Sequence, residues 1–253
     1  MAVGRLAAQA IGADIDRLRA EFAQVSAELQ SGELQSGELP AGDRRAQPRS
    51  ATWAFAPLMQ TIRTVLAATP TSAWPRLAIS FNEDQIESKL WLLDRFPALE
   101  PSGRVVILGA WFGLLAILLD RLSPSPPAQV LCVDLDDEVC ALASRLLSVL
   151  PTPPAVLCAD MMTLDYEALS AAGPTVFVNT SCEHLPDVAG WRDRVPSGAQ
   201  LVLQSNDHRG CSEHVSCVPD LDAFERQARL SAVDYKGTLP LKRFRRFMLI
   251  GRA

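Results

Sequence analysis

Residues 105–136 read VVILGAWFGLLAILLDRLSPSPPAQVLCVDLD. The apolar run at 105–108 suits a short strand covered on both faces, and Gly109 and Gly113 let the backbone turn closely around a ligand before an apolar helix begins. A second apolar run, 130–133, ends on Asp134, where a carboxylate at a strand terminus can accept hydrogen bonds from both hydroxyls of a ribose. Strand, glycine turn, helix, strand and acid together predict a nucleotide-type α/β domain and an adenosine-bearing cofactor.

Downstream the same alternation repeats. Helices are expected at 114–122, 138–150, 166–171, 188–194 and around 221–230, and they separate strands at 130–133, 155–158, 175–178 and 200–204. That spacing means right-handed βαβ crossovers and a parallel sheet. Near the end, 232–237 and 244–251 flank TLPLKR with no helix between them, so these two strands pair antiparallel. The expected fold is α/β: a doubly wound, mostly parallel seven-stranded sheet with a C-terminal antiparallel hairpin, preceded by a helical N-terminal extension.

Upstream, Leu6, Ile11, Ile15, Leu18, Phe22, Val25 and Leu29 recur at three- and four-residue intervals, the pattern of an amphipathic helix over 5–29. SGELQSGELPAGDRRAQPRS follows, a tandem duplication with few large apolar groups, which reads as a flexible linker. Helices are expected at 52–69 and 82–96, the second capped by Asn82 with acids in its first turn. The organisation expected is an N-terminal helix (1–30), a linker (31–50), a helical cap (51–100) and a Rossmann-like domain (101–253).

The chain's 253 residues, 48% of them apolar, are enough to fill such a core. A net charge of -5 and a pI near 5.3 give no bulk attraction to nucleic acid or to an acidic membrane, and favour a small or cationic substrate. No apolar run approaches the roughly 20 residues of a bilayer span and no signal-peptide core is evident, so a cytoplasmic location is expected. The six cysteines lack disulfide-scaffold spacing and read as reduced thiols.

Five parallel strands with a glycine turn after the first, acids after the second and third, and a closing hairpin form an arrangement that resembles the class I S-adenosylmethionine-dependent methyltransferases over about residues 82–253. In that family a D/E-x-G-x-G-x-G loop wraps the methionine part of the cofactor. The matching positions here are Ile107, Gly109, Trp111 and Gly113, so the leading acid and the middle glycine are replaced. At Trp111 the side chain either turns away or stacks over the ligand. The resemblance implies S-adenosyl-L-methionine as cofactor, held by Gly109, Ala110, Trp111 and Gly113, by Asp134 with Leu135 at the ribose, by Asp160 with Met161 at the adenine, and by Asn179.

All three histidines, His184, His208 and His214, lie between Cys182 and Cys217, in loops expected at the carboxyl ends of the fourth and fifth strands where such sheets bind ligands. Glu183 or His184 could serve as the general base that frees a lone pair on the methyl acceptor, with Asn179 and Asn206 orienting it. The plainer reading is that Asn179 caps a turn, Cys182 packs as a small hydrophobe and His184 is solvated. Asn82, Glu83, Asn206 and His214 are the substrate-binding candidates. Glu83, Asp84 and Glu87 would grip a cationic substrate, or else simply complement a helix dipole.

Lys242, Arg243, Arg245 and Arg246 read as a solvated hairpin edge. His208, Cys211, His214 and Cys217 recur every third residue, as zinc ligands do, but four ligands from so short a run would strain it, and no metal is expected.

The function expected is methyl transfer to a small-molecule acceptor, an amine, guanidine or amino-acid-like nucleophile, without nucleic acid or membrane partners and with a homodimer admitted. A nicotinamide-dependent oxidoreductase is the first rival, against which stand the absent G-x-G-x-x-G turn and the hairpin. A noncatalytic relative is the second, favoured by Trp111 and the missing acid.

Overall fold

The computed structural model describes residues 62–65, 67–97, 103–123, 125–171 and 173–253, with helical positions 16, 17, 20, 21, 23–25, 27, 28, 30 and 31. Most of the expected helix over 5–29, the linker beyond Ser31, residues 52–61 and Trp53 lie outside them.

Side chains on the central strands alternate between two apolar layers. Val105, Ile107, Val176, Val178, Val202, Met248 and Ile250 face one core, while Val106, Leu108, Phe177, Leu201, Leu203, Phe247 and Leu249 face the other. A strand buried on both faces needs cover on both, and the sheet is sandwiched accordingly. Its strands are β1 (Arg104–Leu108), β2 (Gln129–Asp134), β3 (Ala155–Cys158), β4 (Thr175–Asn179), β5 (Gln200–Asn206), β6 (Ala232–Pro240) and β7 (Arg245–Arg252). They lie in the order β3-β2-β1-β4-β5-β7-β6, with β1 to β5 parallel and β7 antiparallel to both neighbours. The doubly wound sheet and its hairpin are as the sequence led us to expect.

The helices are α1 (Trp74–Ser80), α2 (Glu83–Arg95), α3 (Leu114–Leu122), α4 (Asp137–Leu147), α5 (Tyr166–Ala171), α6 (Val188–Arg192) and α7 (Leu221–Ala228). The first four supply the first core, through residues such as Leu77, Ile86, Leu118 and Leu146. The last three supply the second, where Trp191 donates from Nε1 to the Tyr166 hydroxyl at 2.8 Å and Tyr166 stacks edge-on against Phe177. Full burial of each such side chain is worth about 1.5–3 kcal/mol.

Asn82 caps α2 as its sequence suggests, its side chain accepting from the Gln85 amide at 2.9 Å. Further along, Ser88 and Gln204 exchange two hydrogen bonds, of 2.9 and 3.1 Å, which fasten α2 to β5. Val25, Ile62 and Val65 enter the same core, and Glu28 pairs with Arg63.

Lys242, Arg243 and Arg245 lie on the solvated edge expected of the basic cluster, each with an acidic partner, and Arg246 alone departs from it, buried beside Glu183. Lys242 pairs with Glu83, Arg243 with Asp84 at 3.5 Å, Arg245 with Asp207 at 2.7 Å and Arg246 with Glu183 at 2.9 Å. The antiparallel return of β7 beside β5 lays the hairpin turn over the first turn of α2, where Glu83 and the buried Asp84 find their basic partners. All six cysteines are free thiols. Among the described residues, no helix is long and apolar enough to cross a membrane.

Candidate active site

Gly109 and Gly113 both adopt positive φ, 63° and 80°. A Cβ on Gly109 would meet Ser181 Oγ at 2.8 Å and Met161 Cε at 3.6 Å, so the loops after β1, β3 and β4 converge on this one residue. Trp111 is also left-handed, at φ 50°, a conformation that costs a non-glycine residue about 1–2 kcal/mol. Its amide donates to Asp134 Oδ2 at 2.8 Å, and its half-buried ring leans on Phe112 with centroids 5.7 Å apart. Asp136 N donates to the other oxygen, Oδ1, at 3.3 Å. Two amides thus orient the Asp134 carboxylate while leaving it lone pairs to spare.

Beside it Leu135 projects with 70% of its surface exposed. At the end of β3, exposed Asp160 caps the turn Met161–Thr163 by accepting from the Met162 amide at 2.8 Å. Asn179 is fully buried; its Oδ1 accepts from Ser181 N at 2.9 Å and its Nδ2 meets Met161 Sδ at 3.5 Å. Its amide therefore shapes the loop after β4.

That loop enters a short turn, Cys182–His184, which places Glu183 inside the protein and His184 at the surface. Glu183, 3% exposed, accepts at Oε1 from Arg246 Nη1 at 2.9 Å and from Asn206 Nδ2. Its Oε2 is buried with no hydrogen-bond partner. The amides of Val215 and Ser216 donate to the Glu183 carbonyl at 2.9 and 3.0 Å, folding the β5 loop onto the β4 loop. His214 then stands edge-on to His184, ring centroids 4.7 Å apart, and its Nδ1 lies 2.7 Å from the His208 carbonyl. Packing around the inner edge of His184 pushes its imidazole below the ordinary range, with His214 adding to the effect and Glu183 opposing it.

Beneath the cluster lies Lys89, buried, with Nζ 3.1 Å from Gln85 Oε1. Desolvation first and the neighbouring Arg246 second push its ammonium down to about 7, against the pull of Glu183.

The structure thus gathers Glu183, His184, Asn206 and His214, while Asn82 caps α2 and Glu83 pairs with Lys242. His208, Cys211, His214 and Cys217 do not converge as a ligand set: among the described residues, the group that does is Glu183, His184 and His214, whose ligand atoms lie within 4.8 Å of one another. Lys89 goes unread in the sequence, and Arg246 reads there only as part of the hairpin edge. The signal for both is present, since Arg246 shares a strand face with Met248 and Ile250, and Lys89 falls at helical spacing between Ile86 and Leu92.

No family model and no curated protein matches the chain in sequence. Among solved structures it is similar to geranyl diphosphate C-methyltransferase from Streptomyces coelicolor A3(2), in complex with Mg2+, geranyl diphosphate and S-adenosyl-L-homocysteine. The TM-score is 0.52 at 12% identity, over 76% of this chain and 86% of that one. The fold is that of the class I methyltransferases. Similarity extends to the N-methyltransferase NodS from Bradyrhizobium japonicum WM9, with TM-score 0.48 and 13% identity over 68% of this chain and 88% of that one. The structure of a possible exported protein from Bordetella parapertussis matches over 96% of this chain and 97% of that one, with TM-score 0.49 and 14% identity. Within the methyltransferase fold the converging loops of this chain occupy the carboxyl edge of the parallel strands.

Proposed function

We propose that this protein transfers a methyl group from S-adenosyl-L-methionine to a small-molecule acceptor. The observation that carries the reading is Asp134: a carboxylate oriented by two backbone amides at the end of β2, facing a glycine turn where a Cβ at residue 109 would be strained and would displace Ser181. The residues present fit an adenosine-bearing group. Asp134 retains acceptor capacity for ribose hydroxyls, exposed Leu135 offers an apolar surface to a purine, and Asp160 with Met161 stands at the next strand end.

When bound, that cofactor supplies a methyl group already activated as a sulfonium, whose displacement leaves the carbon–sulfur electron pair on sulfur. The chain's own task is alignment more than acid–base chemistry. Gly109 and Gly113 give backbone approach, Asn179 and Ser181 shape the adjoining loop, and the cluster of Glu183, His184 and His214 receives the acceptor. Arg246 and Asn206 hold Glu183 fixed, which makes it a positioning group for that cluster. The acidic balance of the chain supports a small molecule over nucleic acid.

Calorimetric titration with S-adenosylhomocysteine and with NAD is the test. Binding of the first and not the second is expected; the reverse would indicate hydride chemistry, and binding of neither a noncatalytic role. Asp134→Ala removes two charge-assisted hydrogen bonds to the ribose, a loss of about 3 kcal/mol or roughly a hundredfold in affinity. Thermal unfolding of the variant stays cooperative. Unchanged affinity for S-adenosylhomocysteine in Asp134→Ala would refute the assignment.

A further inference from the structure

We infer that Glu183, His184 and His214 form a binding site for one divalent first-row transition ion. Three observations meet there. The ligand atoms of the three side chains lie within 4.8 Å of one another. Tetrahedral ligands at about 2 Å from an ion sit roughly 3.3 Å apart, so modest side-chain rotations close the set around a cation. Glu183 offers the second observation: one carboxylate oxygen is anchored by Arg246 and Asn206, and the other, Oε2, is buried without a hydrogen-bond partner. Such an orphan is costly unless something of opposite charge meets it.

The third observation is the tautomer of His214. A carbonyl oxygen only accepts, so the 2.7 Å contact from Nδ1 to the His208 carbonyl fixes the proton on Nδ1 and leaves the lone pair on Nε2. A ring nitrogen donating to a backbone carbonyl while the other faces the ion is the usual outer-shell arrangement of a metal-bound histidine. The guanidinium of Arg246 does the same office for Glu183.

Two imidazole nitrogens and a single carboxylate already shared with Arg246 suit Zn2+, Co2+ or Mn2+ and disfavour Mg2+ and Ca2+, which want oxygen ligands. Three protein ligands leave at least one coordination position open at the carboxyl edge of the sheet. That position takes an oxygen donor of the acceptor. This last assignment rests on the methyl-transfer reading, and it favours an acceptor bearing a hydroxyl over a cationic amine. The cation lowers the cost of releasing the hydroxyl proton to solvent, so His184 acts as a ligand and not as the proton acceptor.

The full chain, stripped with a chelator, is titrated calorimetrically with ZnCl2, MnCl2 and MgCl2, and in parallel with S-adenosylhomocysteine. One Zn2+ or Mn2+ per chain is expected, with Mg2+ markedly weaker. His184→Ala and His214→Ala each weaken Zn2+ binding by about a hundredfold or more, at the upper end of what even outer-shell losses cost. Cys211→Ser, and His208→Ala, which keeps its backbone carbonyl, remain within about tenfold of the parent. Absence of a one-to-one ion, equal affinity in either of the first two variants, or a preference for Mg2+ overturns the site. Failure of S-adenosylhomocysteine binding with the ion retained would remove the acceptor assignment and leave the site standing.

Discussion

Gly109 concentrates the constraints of the glycine turn in one α-carbon. Its φ of 63° is open to glycine, and the nearest atom to an added Cβ is Ser181 Oγ at 2.8 Å. Gly109→Ala therefore combines left-handed strain with displacement of the β4 loop. A loss of about 1–2 kcal/mol is expected from the strain alone, measurable as a lowered urea midpoint, together with weakened S-adenosylhomocysteine binding. An alanine variant as stable as the parent would show that the turn relaxes freely. Trp111 makes the opposite case two residues on. It accepts left-handed backbone because its amide is held by Asp134, so the departure from a glycine at this position coexists with an oriented carboxylate.

Among the elements, β7 does most to build the candidate site. Its first residues reach back over the loops after β4 and β5, and Arg246, 2% exposed, neutralises the buried Glu183. A buried pair is weak evidence for stability as a whole, but removing one partner strands the other. Arg246→Met is expected to cost about 3–5 kcal/mol in urea unfolding, and Arg246→Met with Glu183→Gln to recover most of it. If the double variant is no more stable than the single, the stranded charge is not the cause. The acids and bases that looked like separate surface features in the sequence, at the start of α2 and in the hairpin, are one set of ion pairs joining two elements about 160 positions apart in the chain.

At the scale of the whole molecule, the buried Lys89 couples stability to pH. Its folded-state pKa of about 7 lies below the 10.5 of an exposed lysine. Between those values the unfolded chain holds a proton that the folded one has lost. Stability attributable to Lys89 therefore rises with pH across that interval, and the burial cost is fully present below it. Lys89→Met keeps the stem and removes the titration. It is expected to stabilise the fold strongly at about pH 6 and little at about pH 10, read as the shift in urea midpoint between the two conditions. A shift equal at both values would mean that Lys89 keeps its ordinary ionisation in the fold.

What the sequence determined by itself was the architecture. Strand burial on two faces, helical spacing, the Asn82 cap and the glycine turn are local properties, readable within one element and its neighbours, and α3, α5 and β3 begin and end where their patterns do. Asp134, Asp160 and the His-rich loops could be placed at the carboxyl edge because parallel crossovers leave their loops there. Only the tertiary structure decided which of those groups meet. Arg246 reads as one more surface base until the antiparallel return of β7 carries it to Glu183, and His214 reads as one member of a three-residue repeat until the Glu183 carbonyl folds its loop against His184. Side-chain partners supplied by distant segments leave no periodicity behind, because their contact is set by sheet order and loop closure and not by spacing along the chain.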